Sequence, residues 1–394
     1  MPVLITTRVD LDTLASSIAY AYFCSIHGKA QSVPLLQIDR ADLSLRAENT
    51  YALSLAGITD PESQILFLSD IPSSPFPSHT FALVDHNRLG TRFSSPSAVV
   101  TAIIDHHADE NQHLTANPRI VAPAGSCSSH ITQLLVNAAS GGFEIPGELA
   151  TLLLCAILID TGGLKPKGKA LAVDYAAAYH LLPRSSLASS APMLINNDAN
   201  PPPQLEQEIH AIPSVRELTT TLDSKKFDLS HLSAYDILRR DYKEYTYEIP
   251  STTGKVEIQA GLSTVPLPLQ ADWAANGQLL KSSLDWMAAS NLTILGVLTG
   301  FHEEKPKKKK KTGKGKHKRE MAWFVRSTGS VDLDAVSERL FSGLEADKDL
   351  MLKKHKHFSV DVGDVSDLRV RVYKQKNADI SRKGIAPLLQ RIMQ

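Results

Sequence analysis

The sequence predicts an α/β protein in which a doubly wound, mainly parallel sheet is followed by a second, smaller α/β domain. Short apolar runs alternate with helical patterns over the first 190 residues, and this alternation is typical of parallel sheets. Several of these runs end in acids or histidines, as expected at the carboxyl edge of an open sheet. The length of 394 residues and the prolines at 201–203 indicate two domains, at 1–190 and 230–394, joined by a linker at 191–229.

The first domain is predicted to alternate strands with helices. Apolar runs indicate strands at 3–7, 33–38, 65–70, 81–84 and 98–104. Apolar residues at helical spacing indicate helices at 13–27, from 125 to about 139, and at 149–158. The last helix is apolar on all sides, so we expect it to be buried.

Two neighbouring strands of this predicted sheet end in Asp-His. The strand at 81–84 is followed by Asp-His-Asn at 85–87, and the strand at 98–104 by Asp-His-His at 105–107. Carboxylate and imidazole together suit Mn, Fe, Co or Zn, and carboxylate-rich sites also bind Mg. A surface turn explains one such ending, but a chance repeat is much rarer. We therefore predict metal ligands at this edge of the sheet.

Further polar residues lie at the ends of elements in the same domain. Asp10 and Asp12 separate the first strand from the first helix, where Asp12 either caps the helix or binds a cation. Asp160 lies near the end of an apolar helix and opposes the helix dipole, so we expect a compensating partner, and a cation would serve. The serine-rich start of the helix at 125–129 is equally consistent with capping and with anion binding. Sites rich in carboxylates with a few imidazoles typically hold two divalent ions.

Charge and cysteine content exclude several classes of protein. Lys+Arg and Asp+Glu are both 42, so the formal net charge of +0 argues against a nucleic-acid or membrane partner. The three cysteines form no CxxC pair, so neither a disulfide framework nor a zinc ribbon is indicated. We find no signal peptide and no apolar run long enough to span a membrane. The expected compartment is reducing and intracellular, most simply the cytosol.

The second domain is predicted to combine a sheet with helices and to supply cations. Apolar runs indicate strands at 256–262, 292–298, 321–326 and 370–373, with helices ending near 241, at 269–290 and after 383. Lys243, Arg382 and Lys383 present groups suited to phosphate oxygens. The lysine-rich tract at 305–319 is typical of a flexible, solvated insertion. Two alternative interpretations are a nuclear address, which adds the nucleus to the predicted compartments, and an electrostatic trap for polyanions.

The order of these motifs resembles the DHH phosphoesterase superfamily. The resemblance rests on Asp-x-Asp at 10–12, Asp-His-Asn at 85–87, Asp-His-His at 105–107 and Asp160 before Thr-Gly-Gly. Asp-Tyr-Lys ending at Lys243 and Ser-Arg-Lys at 381–383 resemble the DHHA2 domain of family II inorganic pyrophosphatases, yeast-type exopolyphosphatases and prune proteins. The match is most similar to the exopolyphosphatase branch, and it implies an active site in the cleft between the two domains.

The resemblance implies a role for each matching residue. Two divalent ions, Mn or Mg with Co as an alternative, would be bound by Asp10, Asp12, Asp85, His106 and Asp160. Asp85 would bridge both ions, Asp105 would orient His106, and His107 would contact the phosphate under attack. The remaining phosphates would be bound by Lys243, Arg382 and Lys383. One departure is Thr6, which stands where the family has His or Asn, so we expect a looser first metal site.

The resemblance implies a metal-dependent phosphoanhydride hydrolase with Asp85, Asp105 and His107 in the catalytic centre. An exopolyphosphatase would release orthophosphate from polyphosphate ends by attack of a metal-bound hydroxide, without a covalent intermediate. Inorganic pyrophosphatase, cyclic nucleotide phosphodiesterase and a prune-like interaction protein with weak or no turnover are the alternatives. The expected partner is inorganic polyphosphate or another small phosphoanhydride.

Overall fold

The computed structural model describes residues 3–7, 10–27, 31–72, 76–139, 141–190, 205–251, 254–303, 315–327, 331–363 and 365–394. The chain divides into two compact units, Met1–Asp228 and Leu229–Gln394. No helix within the described ranges combines the length and the hydropathy needed to cross a bilayer.

The first unit contains a six-stranded sheet in which every described pairing is parallel. Its strands are β1 Val3–Thr7, β2 Ser32–Leu36, β3 Leu66–Phe67, β4 Thr80–Val84, β5 Val99–Asp105 and β6 Arg119–Val121. The strand order is β3-β2-β1-β4-β5-β6, so the direction of chain progression reverses between β1 and β4. Open parallel sheets bind ligands beyond the carboxyl ends of their strands at such a reversal. The predicted parallel α/β architecture is confirmed, with a shorter third strand and an additional edge strand, β6.

Helices of the first unit bury most of its apolar surface. They are α1 Leu11–Ile26, α2 Ala47–Leu55, α3 Pro61–Gln64, α4 Cys127–Ala139, α5 Gly147–Thr161, α6 Ala172–Leu181, α7 Leu205–Ala211 and α8 Pro213–Phe227. Twelve of the fifteen residues of α5 are buried, as expected for a helix that is apolar on all sides. This packing fixes the end of α5, and with it the position of Asp160.

Part of the segment predicted as a linker forms α7 and α8, within the first unit. Apolar side chains at 209, 212, 215, 218 and 222 recur at helical spacing and are buried in the core of that unit. Their burial stabilises α8 against α5 and α2, and α7 against α6. The prolines at 201–203 lie outside the described residues, and the division between the units falls at 228–229.

The second unit contains a mixed sheet in the order β12-β13-β11-β9-β8-β7. Its strands are β7 Tyr242–Ser251, β8 Gly254–Val265, β9 Ile294–Thr299, β10 Phe301–His302, β11 His317–Arg326, β12 Leu352–Lys354 and β13 Leu368–Gln375. Its helices are α9 Ala234–Arg240, α10 Gln278–Ala289, α11 Leu333–Ala346 and α12 Arg382–Met393. Two apolar clusters pack on this sheet, one including α11 and α12 and the other including α9 and α10.

Two elements of the second unit differ from their predicted bounds. The helix predicted at 269–290 begins only at Gln278, because Asn276 and Gly277 adopt left-handed conformations that interrupt it. Residues 305–314 of the lysine-rich tract lie outside the described residues, and the end of the predicted insertion, from His317, forms the start of β11.

Candidate active site

A small open cavity lies at the reversal of strand order in the first unit. It is lined by Asp10, Asp12, Asp85, His106, His107, Gly125, Asp160 and Lys169. Its volume of about 200 Å³ is below the ~300–1,000 Å³ usual for organic ligands, so it suits ions and small anions. The structure therefore brings together the five predicted metal ligands and His107, which are spread over 150 residues of sequence.

Asp12 is held by the N-terminus of α4. Its Oδ2 accepts a hydrogen bond from the backbone N–H of Cys127 at 2.6 Å, and its Oδ1 accepts from Ser128 N at 2.8 Å. The hydroxyls of Ser126 and Ser128 each donate to Oδ1 at 2.7 Å. The serine-rich helix start thus binds an anion, and the anion is the protein's own carboxylate. The N-cap of α1 is Asp10 rather than Asp12, because Asp10 Oδ1 accepts from Thr13 N at 3.0 Å.

Asp85 projects from the end of β4 in a left-handed conformation with φ of 63°. This conformation is uncommon outside glycine, although Asp and Asn adopt it more readily than most residues. Asp85 is buried, and its Oδ2 accepts a hydrogen bond from Thr13 Oγ1 at 2.5 Å. Its Oδ1 is buried without an aligned hydrogen-bond donor among the described residues, although His106 Nε2 lies 3.1 Å away. An oxygen in this state is suited to bind a cation.

The two histidines after β5 are oriented by different acceptors. His106 Nδ1 donates to the carbonyl of Ala124 at 3.0 Å, which leaves Nε2 facing Asp85 and, at 4.0 Å, Asp12 Oδ2. His107 Nδ1 donates to Asp105 Oδ1 at 2.7 Å. The prediction that Asp105 orients His106 is therefore wrong. Residues two apart at the end of a strand lie on the same side, so Asp105 meets His107 instead.

Asn87 is a positioning residue that the sequence alone did not single out. Its side-chain amide donates to Asp105 Oδ2 at 2.5 Å and to the carbonyl of Ala108 at 3.0 Å. Its Oδ1 accepts from the backbone of Glu110 at 2.9 Å. Asn87 therefore joins the segments that follow β4 and β5. Its place in the Asp-His-Asn motif was the available signal.

The acids of the cavity are closer together than their charges favour. Burial, reinforced by the charges of Asp12 and Asp10, raises the pKa of Asp160 to about 9. Burial, reinforced by the charges of Asp12 and Asp10, raises the pKa of Asp85 to about 6 despite the opposing effects of His106 and Thr13. Burial lowers the pKa of His106, but the carboxylates of Asp85 and Asp12 raise it overall, to about 9. Without a cation, the cluster compensates its charge by binding protons.

The donor set fits a divalent metal ion. Donor atoms of Asp85, His106 and His107 lie within 4.8 Å of one another, and the carboxylates of Asp10, Asp12 and Asp160 border the same cavity. His106 donates a hydrogen bond from its other ring nitrogen, Nδ1, to a backbone carbonyl, as metal-binding histidines usually do. The side chain of Thr6 lies outside what the structure describes.

The predicted phosphate-binding cations lie in the second unit. Lys243 is an exposed residue of β7, and Arg382 and Lys383 form the first turn of α12. Arg382 donates from Nη2 to Asp241 Oδ1 at 2.7 Å and from Nη1 to the Asp241 carbonyl at 2.8 Å. This pairing ties the start of α12 to the residue before β7. Lys383 is exposed on the same turn.

Comparisons with known proteins agree with this description. The family model of the DHH N-terminal domain matches residues 2–157, and that of the DHHA2 domain matches residues 220–392. The chain therefore contains a DHH N-terminal domain followed by a DHHA2 domain. This DHH–DHHA2 protein is 28% identical over 400 residues to the Schizosaccharomyces pombe protein named "Putative exopolyphosphatase", covering 96% of this chain and 87% of the relative.

Two further comparisons extend this similarity. "Exopolyphosphatase PRUNE1" of Bos taurus is 26% identical over 298 residues, which span 74% of this chain and 58% of that protein. The crystal structure of a "putative family II inorganic pyrophosphatase" of Methanococcus jannaschii has a TM-score of 0.53 and 17% identity. This match covers 100% of this chain and 99% of the other. At this identity, the structural match describes the fold.

Proposed function

We propose that the chain is a metal-dependent phosphoanhydride hydrolase, and specifically an exopolyphosphatase that releases orthophosphate from the ends of inorganic polyphosphate. The observation that carries the proposal is the cluster of four aspartates and two histidines at the reversal of strand order, where raised pKa values indicate a missing positive charge. The matches to the DHH and DHHA2 family models, and relatives named as exopolyphosphatases, support the same activity.

In this proposal, Asp10, Asp12, Asp85, His106 and Asp160 hold two divalent ions, Mn or Mg with Co as an alternative. Such ions supply a water molecule of lowered pKa and neutralise charge on phosphoryl oxygens. The chain's own contribution is orientation: α4 and its serines fix the Asp12 carboxylate, and Thr13 fixes one oxygen of Asp85.

His107 is proposed to contact the phosphate under attack. Asp105 accepts the hydrogen bond from its Nδ1, so Nε2 is the ring nitrogen left for a substrate oxygen. Asp105 is completely buried, and hydrogen bonds from His107 and Asn87 outweigh its burial and lower its pKa to about 2. A permanent carboxylate behind His107 fixes the orientation of the ring that would contact the phosphoryl oxygen.

The activity is tested by measuring phosphate release from long-chain polyphosphate, pyrophosphate and cyclic AMP, each with Mn, Mg or Co. We expect release from polyphosphate with at least one metal and none after chelation. Faster release from pyrophosphate would identify a pyrophosphatase instead. No release from any substrate with any metal would contradict the proposed hydrolase.

Lys243, Arg382 and Lys383 are proposed to bind the phosphates distant from the metals. Arg382 and Lys383 lie in the first turn of α12, where cations oppose the helix dipole, so both the helix end and its side chains favour an anion. We predict that Lys383→Ala and Arg382→Ala each lower kcat/KM by about 10- to 100-fold, because a charge-assisted contact contributes roughly 1.5–3 kcal/mol. Steady-state kinetics and metal analysis measure the effect.

Arg391→Ala is the matched control for these variants, since Arg391 is an exposed cation in the last turn of the same helix. Its kinetics should equal those of the unmodified protein. A loss of bound metal in the Arg382 or Lys383 variants, with KM unchanged, would refute their assignment to substrate.

A further inference from the structure

Lys169 contributes a positive charge to a cavity that is otherwise built from acids and histidines. Of the described residues that line this cavity, it alone has a lysine or arginine side chain. It lies in the connection between α5 and α6, two residues after Lys167; both lysines are exposed, but Lys167 does not line the cavity. The sequence does not single out Lys169, because a lysine in a Lys-Pro-Lys-Gly-Lys segment has no distinguishing pattern.

The backbone beside Lys169 is tied to the cavity wall by a buried carboxylate. Asp174 is fully buried and accepts hydrogen bonds from Leu171 N at 2.7 Å and from Gly125 N at 2.8 Å. It also accepts from Ser126 N at 3.2 Å and from Ser129 Oγ at 2.6 Å. The same carboxylate therefore positions the Lys169 segment and the start of α4, which in turn binds Asp12.

Gly125 makes this close approach possible. A Cβ atom at this position would lie 2.6 Å from Thr161 Cγ2 and 2.8 Å from Asp174 Oδ2, so a side chain would push the two segments apart. The edge of the cavity that carries Lys169 is thus a packed junction of three segments.

The charge of Lys169 is not neutralised by a neighbouring acid. Among the described residues, none forms an ion pair with it, although four aspartates border the same cavity. Two divalent ions would balance the negative charges of those four carboxylates. The additional charge of Lys169 would then make the net charge of the loaded cavity positive. The complementary ligand is an anionic group at the metals. Building on the proposed function, we propose that Lys169 is a substrate contact that binds an oxygen of the phosphoryl group held in this cavity.

The test compares Lys169→Met, Lys169→Arg and the matched control Lys167→Met, which removes the same charge from the same loop. Calorimetric titration of the Mn²⁺-loaded protein with imidodiphosphate, a non-hydrolysable pyrophosphate analogue, measures phosphate binding directly. We expect about 10- to 100-fold weaker binding for Lys169→Met and wild-type binding for Lys167→Met. Lys169→Arg should retain most of the affinity, because it keeps the charge.

Titration of the free protein with Mn²⁺ separates substrate binding from metal binding. The Mn²⁺ affinity of Lys169→Met should equal that of wild type. Equal imidodiphosphate affinity in Lys169→Met and Lys167→Met, in a protein that hydrolyses polyphosphate, would overturn the assignment of Lys169 alone. A wild-type protein that binds imidodiphosphate through Lys169 but hydrolyses nothing would instead refute the proposed hydrolase and leave the anion contact standing. Absence of both binding and hydrolysis in wild type would overturn both proposals.

Discussion

Asp85→Asn is expected to lower metal-dependent phosphate release by about a thousandfold or more, because it removes a charged ligand from the centre of the proposed metal site. Asp85 Oδ1 lies 3.1 Å from His106 Nε2 and has no aligned hydrogen-bond donor among the described residues. An amide in its place offers a neutral and weaker ligand. The kcat/KM for polyphosphate and the Mn²⁺ affinity should therefore both fall.

Asparagine is the appropriate replacement because of the backbone at this position. Asp85 has φ of 63°, and Asn is one of the few residues that adopt this conformation readily. The variant should therefore keep the wild-type circular dichroism spectrum and cooperative unfolding. Asp109→Asn is the control, since Asp109 is an exposed acid in the segment after β5 and pairs with Arg119. Near-wild-type activity in Asp85→Asn would refute the proposed metal cluster.

The metal-free protein is expected to lose stability as pH rises from about 4 to about 9. The pKa of Asp160 is about 9 and that of Asp85 about 6 in the folded chain, against 3.8 for an ordinary aspartate. Between these values the folded state binds more protons than the unfolded state, so the free energy of unfolding falls with rising pH. His106 acts in the same direction between 6.5 and about 9. Divalent ions should reverse the loss, because they supply the missing charge.

Asp160→Asn tests this explanation with a single substitution. In EDTA at pH 8 the variant should melt several degrees above wild type, since roughly 2–4 °C corresponds to 1 kcal/mol in a domain of this size. At pH 4 the two melting temperatures should coincide, because Asp160 is then protonated in the folded protein. Mn²⁺ should stabilise the variant less than wild type.

Melting curves from pH 4 to 9, with EDTA or Mn²⁺, measure both effects. The melting curve of the surface variant Asp109→Asn should run parallel to that of wild type above pH 5, because Asp109, whose pKa the Arg119 guanidinium lowers, is then charged in both the folded and the unfolded protein. Parallel curves for Asp160→Asn and wild type in EDTA would show that Asp160 carries no unfavourable charge.

The sequence alone was sufficient to predict the parallel sheet and the edge of it at which the site lies. Alternating apolar runs and helical patterns predicted β1, β2, β4 and β5, because those patterns reflect burial on two faces of a sheet. Parallel strands bring their carboxyl ends to one edge, so Asp10, Asp85 and His106 were expected together. The structure places all three around one cavity.

The contacts that orient these residues could be determined only from the tertiary structure. Ser126 and Asp12 are 114 residues apart, and nothing in either segment specifies that the start of α4 binds that carboxylate. The direction of the side chains beyond β5 decides that Asp105 pairs with His107. The hydrogen bonds accepted by Asp174 decide where the segment that carries Lys169 lies. Local sequence determines which residues reach the edge of the sheet, because periodicity and strand direction are local properties. Which of them touch is determined by packing between distant segments, whose free energy depends on the whole folded chain.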